Sequence, residues 1–167
     1  MSTQTFYRAD KRDFAVGEVV GSAGEFLTKN PEGSQDVEDV LEETRPERYP
    51  SRNQLYVFEN IQDAKKHWSK MTGGKLYEVL VENRHILHRG DMSLVDMAFR
   101  SRDTAEIVRQ FARRYWSGEV TEKPVIELLV QSARVSRVIS KDEEERQAHL
   151  RSWTMGHAQP GAAGDAR

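Results

Sequence analysis

Apolar residues fall in short clusters along this chain, separated by glycine, proline and charged positions. Thr5-Phe6-Tyr7-Arg8-Ala9 predicts a short strand close to the N-terminus, and Phe14 to Val20 a second strand closing on Gly21. Gly21 to Gly33, with its Gly, Ser, Asn and Pro, predicts a loop. Val37, Val40 and Leu41 recur at helical spacing, so Asp36 to Thr44 predicts a short acidic helix. It ends before Pro46, because the residue preceding proline avoids the helical region. Leu55-Tyr56-Val57-Phe58 is aromatic and β-branched, the composition of a strand. Asn60 then caps a helix to Met71, with Ile61, Ala64 and Trp68 on one face and Gly73-Gly74 after its end.

The second half continues the mixture. Leu76 to Val81 predicts a strand, with Ile86-Leu87 a short continuation of it. Asp103 caps a longer helix to Trp116, whose apolar stripe is Ile107, Val108, Phe111, Ala112 and Tyr115. Ser117-Gly118 ends it, and Val125 to Val130 and Val135 to Ile139 predict two strands with a tight connection. Ser140 and Glu143 have the spacing of a capping box and open a helix to about Trp153. There is no strict β-α-β alternation, no Gly-rich phosphate fingerprint and no internal repeat. The expected class is therefore α+β, and the order argues against a Rossmann or P-loop domain.

Length and composition add bounds. The 167 residues suggest one domain, assigned to residues 1–153, with a disordered tail over 154–167. No apolar run approaches the roughly 20 residues of a membrane span. Met1-Ser2-Thr3-Gln4 has neither the charge nor the apolar stretch of a signal peptide, so a cytoplasmic location is expected. Without cysteine there is neither a disulfide nor a thiolate metal site. The net charge of −2 conceals an asymmetry. Glu32 to Glu47 holds seven acids against one arginine, whereas Arg84 to Arg114 holds seven arginines against four acids. The arginine-rich region, Arg100, Arg102, Arg109, Arg113 and Arg114 above all, suits phosphate groups or nucleic acid; its bland alternative is a solvated helix face.

Three segments carry candidate chemistry. Arg8, on the opening strand, can hold a phosphate or ribose through several donors, or be an ordinary surface arginine. Ser51, entering the Leu55–Phe58 strand, can position a ribose or amide; Tyr56 can stack on a flat ring or alternate into the core. Glu127 interrupts the apolar run Val125 to Val130. A carboxylate there is costly to bury unless paired or functional, although an edge-strand glutamate is the bland alternative. The five histidines form no metal motif, and no G-x-S-x-G supports a serine hydrolase, so no metal is expected.

The order Arg8, then Ser51 or Tyr56, then Glu127 resembles the ADP-ribosyltransferases, whose strands carry an Arg or His, a Ser or Tyr, and a Glu in that order. Tyr56 to Ala64 looks like that fold's strand-to-helix segment. Glu127-Leu128-Leu129-Val130 followed by Arg134-Val135 looks like the strand of the catalytic glutamate. The resemblance spans most of residues 5–140. It implies two small antiparallel or mixed sheets that form an NAD cleft with flanking helices. It implies that Arg8 holds a cofactor phosphate or ribose, that Ser51 orders the pocket and that Tyr56 stacks on nicotinamide. Glu127 would bind the ribose hydroxyl and stabilise an oxocarbenium-like transition state as nicotinamide leaves. NAD would be the co-substrate.

Arginine-modifying members carry a second acid two residues before the catalytic one. Val125 stands there, with Glu122 further back, which argues against arginine as acceptor; the glutamine of asparagine-directed relatives is absent too. The segment Trp116 to Lys123, with Arg109 and Arg113, would recognise a macromolecular acceptor, RNA, DNA or protein, with nucleic acid suited to the arginines. Such a compact enzyme would suit a bacterial toxin or antiphage effector with an antitoxin or immunity partner. The competing expectation is a non-catalytic α+β binding module that uses the arginine-rich helix. The enzyme reading alone requires Arg8, Ser51 or Tyr56, and Glu127 to converge.

Overall fold

Tyr77, Val79 and Val81 are buried at alternate positions of one strand, the period that turns every second side chain to the same face. That strand sits inside a single antiparallel sheet in the computed structural model, which describes residues 2–22, 35–52 and 54–156. The strands are β1 (Thr3–Asp10), β2 (Val19–Val20), β3 (Leu55–Phe58), β4 (Lys75–Glu82), β5 (Ile86–Asp91), β6 (Ile126–Val130) and β7 (Ala133–Ser140). Their order is β2-β7-β4-β1-β3-β6-β5.

The expected α+β class is observed, but the strands form one seven-stranded sheet rather than two small ones. The reason is visible at the seam. β1 runs in register with β4 from Thr3↔Glu82 to Asp10↔Lys75, yet its ladder with β3 holds the single pair Tyr7↔Phe58. The halves β2-β7-β4-β1 and β3-β6-β5 are thus joined by one short ladder.

Helices α1 (Gln35–Thr44), α2 (Ile61–Ser69), α3 (Met92–Arg100), α4 (Ala105–Trp116) and α5 (Glu143–Gly156) complete the fold. In β6, Ile126, Leu128 and Val130 join Phe6, Val57, Val79 and Val135 in one core. Glu127 and Leu129 alternate to the opposite face, where Leu129 packs with Leu41, Leu94, Val108 and Tyr115 from α1, α3 and α4. A third cluster seats Trp68 of α2 against Ala9, Phe58 and Leu76. Burying each such side chain contributes about 1.5–3 kcal/mol.

Several elements differ from expectation. Only Val19–Val20 of the predicted second strand pairs, because the chain turns at Gly17, whose φ of +92° is open to glycine. Ile86-Leu87 is not an extension of β4. A 3-10 turn at Asn83–His85 redirects the chain, and β5 becomes the edge strand beside β6. Helix α3 was absent from the sequence reading, although Asp91 caps it by accepting from the Ser93 amide and Leu94, Val95 and Ala98 form its buried stripe. Helix α4 starts after Thr104 rather than at Asp103, and Ile107 of its expected stripe is exposed. Helix α5 is capped by Asp142, which accepts from the Glu144 amide at 2.8 Å, while the Ser140 hydroxyl donates to Glu145. It extends to Gly156, past the expected end at Trp153. The rest of the predicted tail, 157–167, and most of the predicted loop, 23–33, lie outside the described residues. Among the described residues no helix is long and apolar enough to cross a membrane.

Candidate active site

Glu127 lies on an interior strand. β6 is flanked by β3 and β5, which set Phe58 and Gly90 opposite Glu127. The edge-strand alternative therefore fails, and the side chain is only 2% exposed. A carboxylate in such a place needs partners. Both of its hydrogen bonds go to one oxygen, Oε1: the Arg52 guanidinium donates through Nη1, and the Tyr115 hydroxyl donates at 2.5 Å. Oε2 accepts no hydrogen bond among the described residues.

Arg52 is itself 4% exposed and is shared between two carboxylates. Nε donates to Glu38 Oε2 of α1 at 2.9 Å and Nη2 to Glu38 Oε1 at 3.3 Å. Nη1 also donates to the Tyr115 hydroxyl at 2.7 Å, and the guanidinium stands 4.9 Å from the Tyr115 ring centre. The Met92 sulfur lies 3.8 Å from Nη2. Burial opposes the charge on Arg52, but Glu127, Tyr115 and Glu38 outweigh it and hold the guanidinium's pKa well above its ordinary value. Burial, with Glu127 adding to it, pushes the Tyr115 phenol well above its usual range, so the hydroxyl keeps its proton and remains a donor.

Tyr115 reaches Glu127 because β5 has no side chain at Gly90. A Cβ there would stand 2.7 Å from the Tyr115 ring carbon Cζ and nearer still to Cε2. Next to the ring His88, Trp116 and Tyr49 pack together, with His88 centred 5.1 Å from Tyr115, 5.0 Å from Trp116 and 4.7 Å from Tyr49. His88 is buried, its Nε2 has no hydrogen-bond partner among the described residues, and burial lowers its pKa.

Arg8 and Tyr56 meet beside this network. Arg8 donates through Nη1 to the Tyr56 carbonyl at 2.7 Å and lies 5.1 Å from the centre of the Tyr56 ring. Its Nε and Nη2 go to Asp10. Burial would raise the Asp10 carboxyl, yet Arg12 and Arg8 hold it below the usual range. The Tyr56 hydroxyl is 3.2 Å from His67 Nε2. Burial, then the nearby Arg8 charge, lowers His67 to about 4, so the imidazole is neutral at pH 7. Burial raises the Tyr56 hydroxyl, and Arg8 and Glu127 both act on it electrostatically.

Arg8, Tyr56 and Glu127 are thus neighbours on the sheet. Ser51 is half-buried and precedes Arg52 in the segment that leads to β3. Trp116 was expected to meet an acceptor, but it is a core residue: 1% exposed, stacked on Tyr49 and donating to the Leu41 carbonyl at 2.8 Å. Helix α4 packs along α1 and turns this ring inward. Arg109 and Arg113 are exposed on α4, while Arg114 pairs with Glu119. A groove of about 920 Å³ opens at Asp63, Lys66, Asp96, Arg100, Val125 and Trp153; Val125 is two residues from Glu127, which does not line it. Among the described residues no group of three or more His, Asp or Glu side chains is placed to hold a metal.

Sequence reasoning missed Arg52, Glu38, Tyr115 and His67 as members of this arrangement. Arg52 directly follows Ser51, Glu38 lies in the acidic helix and Tyr115 in the apolar stripe of the longer helix, and nothing local marks them as partners of Glu127. Spacing could not expose them, because the Arg52 pair with Glu127 spans 75 positions of sequence.

No curated protein matches the chain. A family model described as "Protein of unknown function (DUF2441)" matches residues 28–141, a span that takes in Glu38, Arg52, Tyr56, Tyr115 and Glu127 but leaves out Arg8. That match covers more than half of the sequence, and the chain therefore belongs to the DUF2441 family.

Proposed function

We propose that this chain is an NAD-dependent ADP-ribosyltransferase that uses Glu127 and modifies a macromolecular acceptor other than arginine. The observation that carries the reading is the state of Glu127: a carboxylate on an interior strand, with Oε1 anchored by Arg52 and Tyr115 and Oε2 without a hydrogen bond among the described residues. A buried, anchored carboxylate is a fixed negative charge in a region of low dielectric, where it stabilises developing positive charge by several kcal/mol. NAD, when bound, supplies the ADP-ribosyl group, whose bond to the nicotinamide nitrogen breaks as the acceptor nucleophile takes its place.

The donor set fits that co-substrate. Glu127 Oε2 accepts from a ribose hydroxyl. Arg8 uses three of its five N–H donors on Asp10 and Tyr56, which leaves two for a phosphate or ribose oxygen. Tyr56, held by His67 at its hydroxyl, keeps its ring beside Arg8 and lines the nicotinamide side, and Ser51 orders the pocket wall. The cleft that this reading requires would lie beside the seam where β1 and β3 share one ladder pair, Tyr7↔Phe58. Arg109 and Arg113 contact the acceptor, for which nucleic acid fits their exposed guanidinium groups. A small transferase of this kind acts as a toxin or antiphage effector, countered by an antitoxin or immunity partner.

A second reading draws on the exposure of Arg109 and Arg113: a non-catalytic module that binds nucleic acid or protein through α4, with Glu127 a structural member of the Arg52 network. NAD labelled on its adenylate half separates the two. The purified chain is incubated with cell protein, RNA and DNA in turn, beside Glu127→Gln. Transfer to one pool that is lost in the variant supports the enzyme and names the acceptor class. No transfer and no nicotinamide release from folded protein leaves the binding module.

A further inference from the structure

We infer that Tyr115, seated through Gly90, is a positioning residue that fixes the Glu127 carboxylate for the proposed transfer and leaves Oε2 as its one reacting oxygen; this rests on the enzyme reading above. The argument begins at β5. Gly90 is the register partner of Glu127, and the Tyr115 ring occupies the space that a side chain at position 90 would fill. The ring is fully buried and packed against His88 and Trp116, each centred 5.1 Å from it, so it cannot leave this place at low cost. Its hydroxyl therefore arrives at Glu127 Oε1 in one orientation, 2.5 Å away, while accepting from Arg52 at 2.7 Å.

Two donors on the same oxygen do what one could not. Arg52 alone would leave the carboxylate free to turn about its last bond and offer either oxygen. With Tyr115 also on Oε1, that rotation breaks two charge-assisted hydrogen bonds at once, so the rotamer is set before any ligand arrives. Neither Tyr115 nor Gly90 needs to touch NAD. Their effect passes through Glu127 alone.

The test compares nicotinamide release from NAD, with the labelled acceptor pools present, for the native chain, Tyr115→Phe, Gly90→Ala and the double variant, with thermal melting to establish folding. Tyr115→Phe keeps the ring and removes only the hydroxyl, so it remains informative even where Gly90→Ala fails to fold. The expected result is a fall in kcat of roughly 10²-fold for Tyr115→Phe, of the size caused by about 1 Å of misplacement. KM for NAD should stay within about threefold, because uniform binding is unchanged. The double variant should be no slower than the slower single one, since both act through one hydroxyl. A Tyr115→Phe chain with kcat within about threefold of native, or losses that multiply in the double variant, would overturn the inference and leave the enzyme reading standing. Absence of nicotinamide release from the native chain would bring down both.

Discussion

Arg52 and Glu127, 75 residues apart in the chain, pair in the buried layer between the sheet and its helices, at 4% and 2% exposure. Glu38 completes the pair from α1, so one cation serves two carboxylates. Removing the cation alone is then severe. Arg52→Met should destabilise the fold by about 3–5 kcal/mol, because it strands two buried charges. Adding Glu38→Gln and Glu127→Gln should recover part of that loss. Urea unfolding of the single and triple variants decides it: a single variant within about 1 kcal/mol of native would mean that the network is relaxed or wet.

Asp91 ties the start of α3 to the segment before β6. It is fully buried and accepts from the Ser93 amide, from the amide and hydroxyl of Thr121, and from the Val125 amide, each at 2.8–2.9 Å. Burial pushes its carboxyl up, yet the amides of Thr121 and Val125 and the other donors bring it below its ordinary value of 3.8. A carboxylate whose folded pKa is lowered stabilises the fold above its unfolded pKa and loses that contribution as pH falls through the folded one. The native chain should therefore lose stability below about pH 4. Asp91→Asn should be less stable at pH 7 and lose less of its stability on acidification. Equal acid slopes for the two chains, measured by urea midpoints, would show that Asp91 takes no part.

His67 makes stability fall in the same direction, on acidification, but in a higher pH window. Burial and Arg8 lower it to about 4, from an ordinary value of 6.5. A base whose folded pKa is depressed is protonated first in the unfolded chain, so stability is present above pH 6.5 and drains as pH falls toward 4. The full effect is on the order of 3 kcal/mol. His67→Gln, which can still bond the Tyr56 hydroxyl, should flatten stability between those pH values. A variant with the native slope there would remove His67 as the cause.

Arg109 and Arg113 are exposed on α4, and no ion pair holds either among the described residues. Replacing both with glutamate should change the melting free energy by less than about 0.5 kcal/mol, as surface substitutions do. If nucleic acid is the acceptor, the same change should weaken its binding and reduce the salt slope by about 2. Binding of RNA and DNA by fluorescence anisotropy across a salt series reads this directly. An unaltered slope would place the acceptor elsewhere.

The sequence alone determined the elements whose signal is local. Periodicity placed β1, β3, β4, β6 and β7 and helices α1, α2 and α4, because a strand's alternation and a helix's apolar stripe are written within a few residues. It also singled out Glu127, since a lone acid in an apolar strand is anomalous without any knowledge of its surroundings. Helix α3 was missed, and of β5 only Ile86-Leu87 was read as strand, as a continuation of β4. Their segments are short and their apolar positions are shared between a sheet edge and a helix, a pattern that pairing resolves and periodicity does not. Only the tertiary structure decided that Glu127 is interior rather than on an edge, that Trp116 faces the core, and that Arg52, Glu38 and Tyr115 converge on it. Those outcomes depend on which distant strands pair and which helices cover them. Long-range packing sets that arrangement, and no local spacing encodes it.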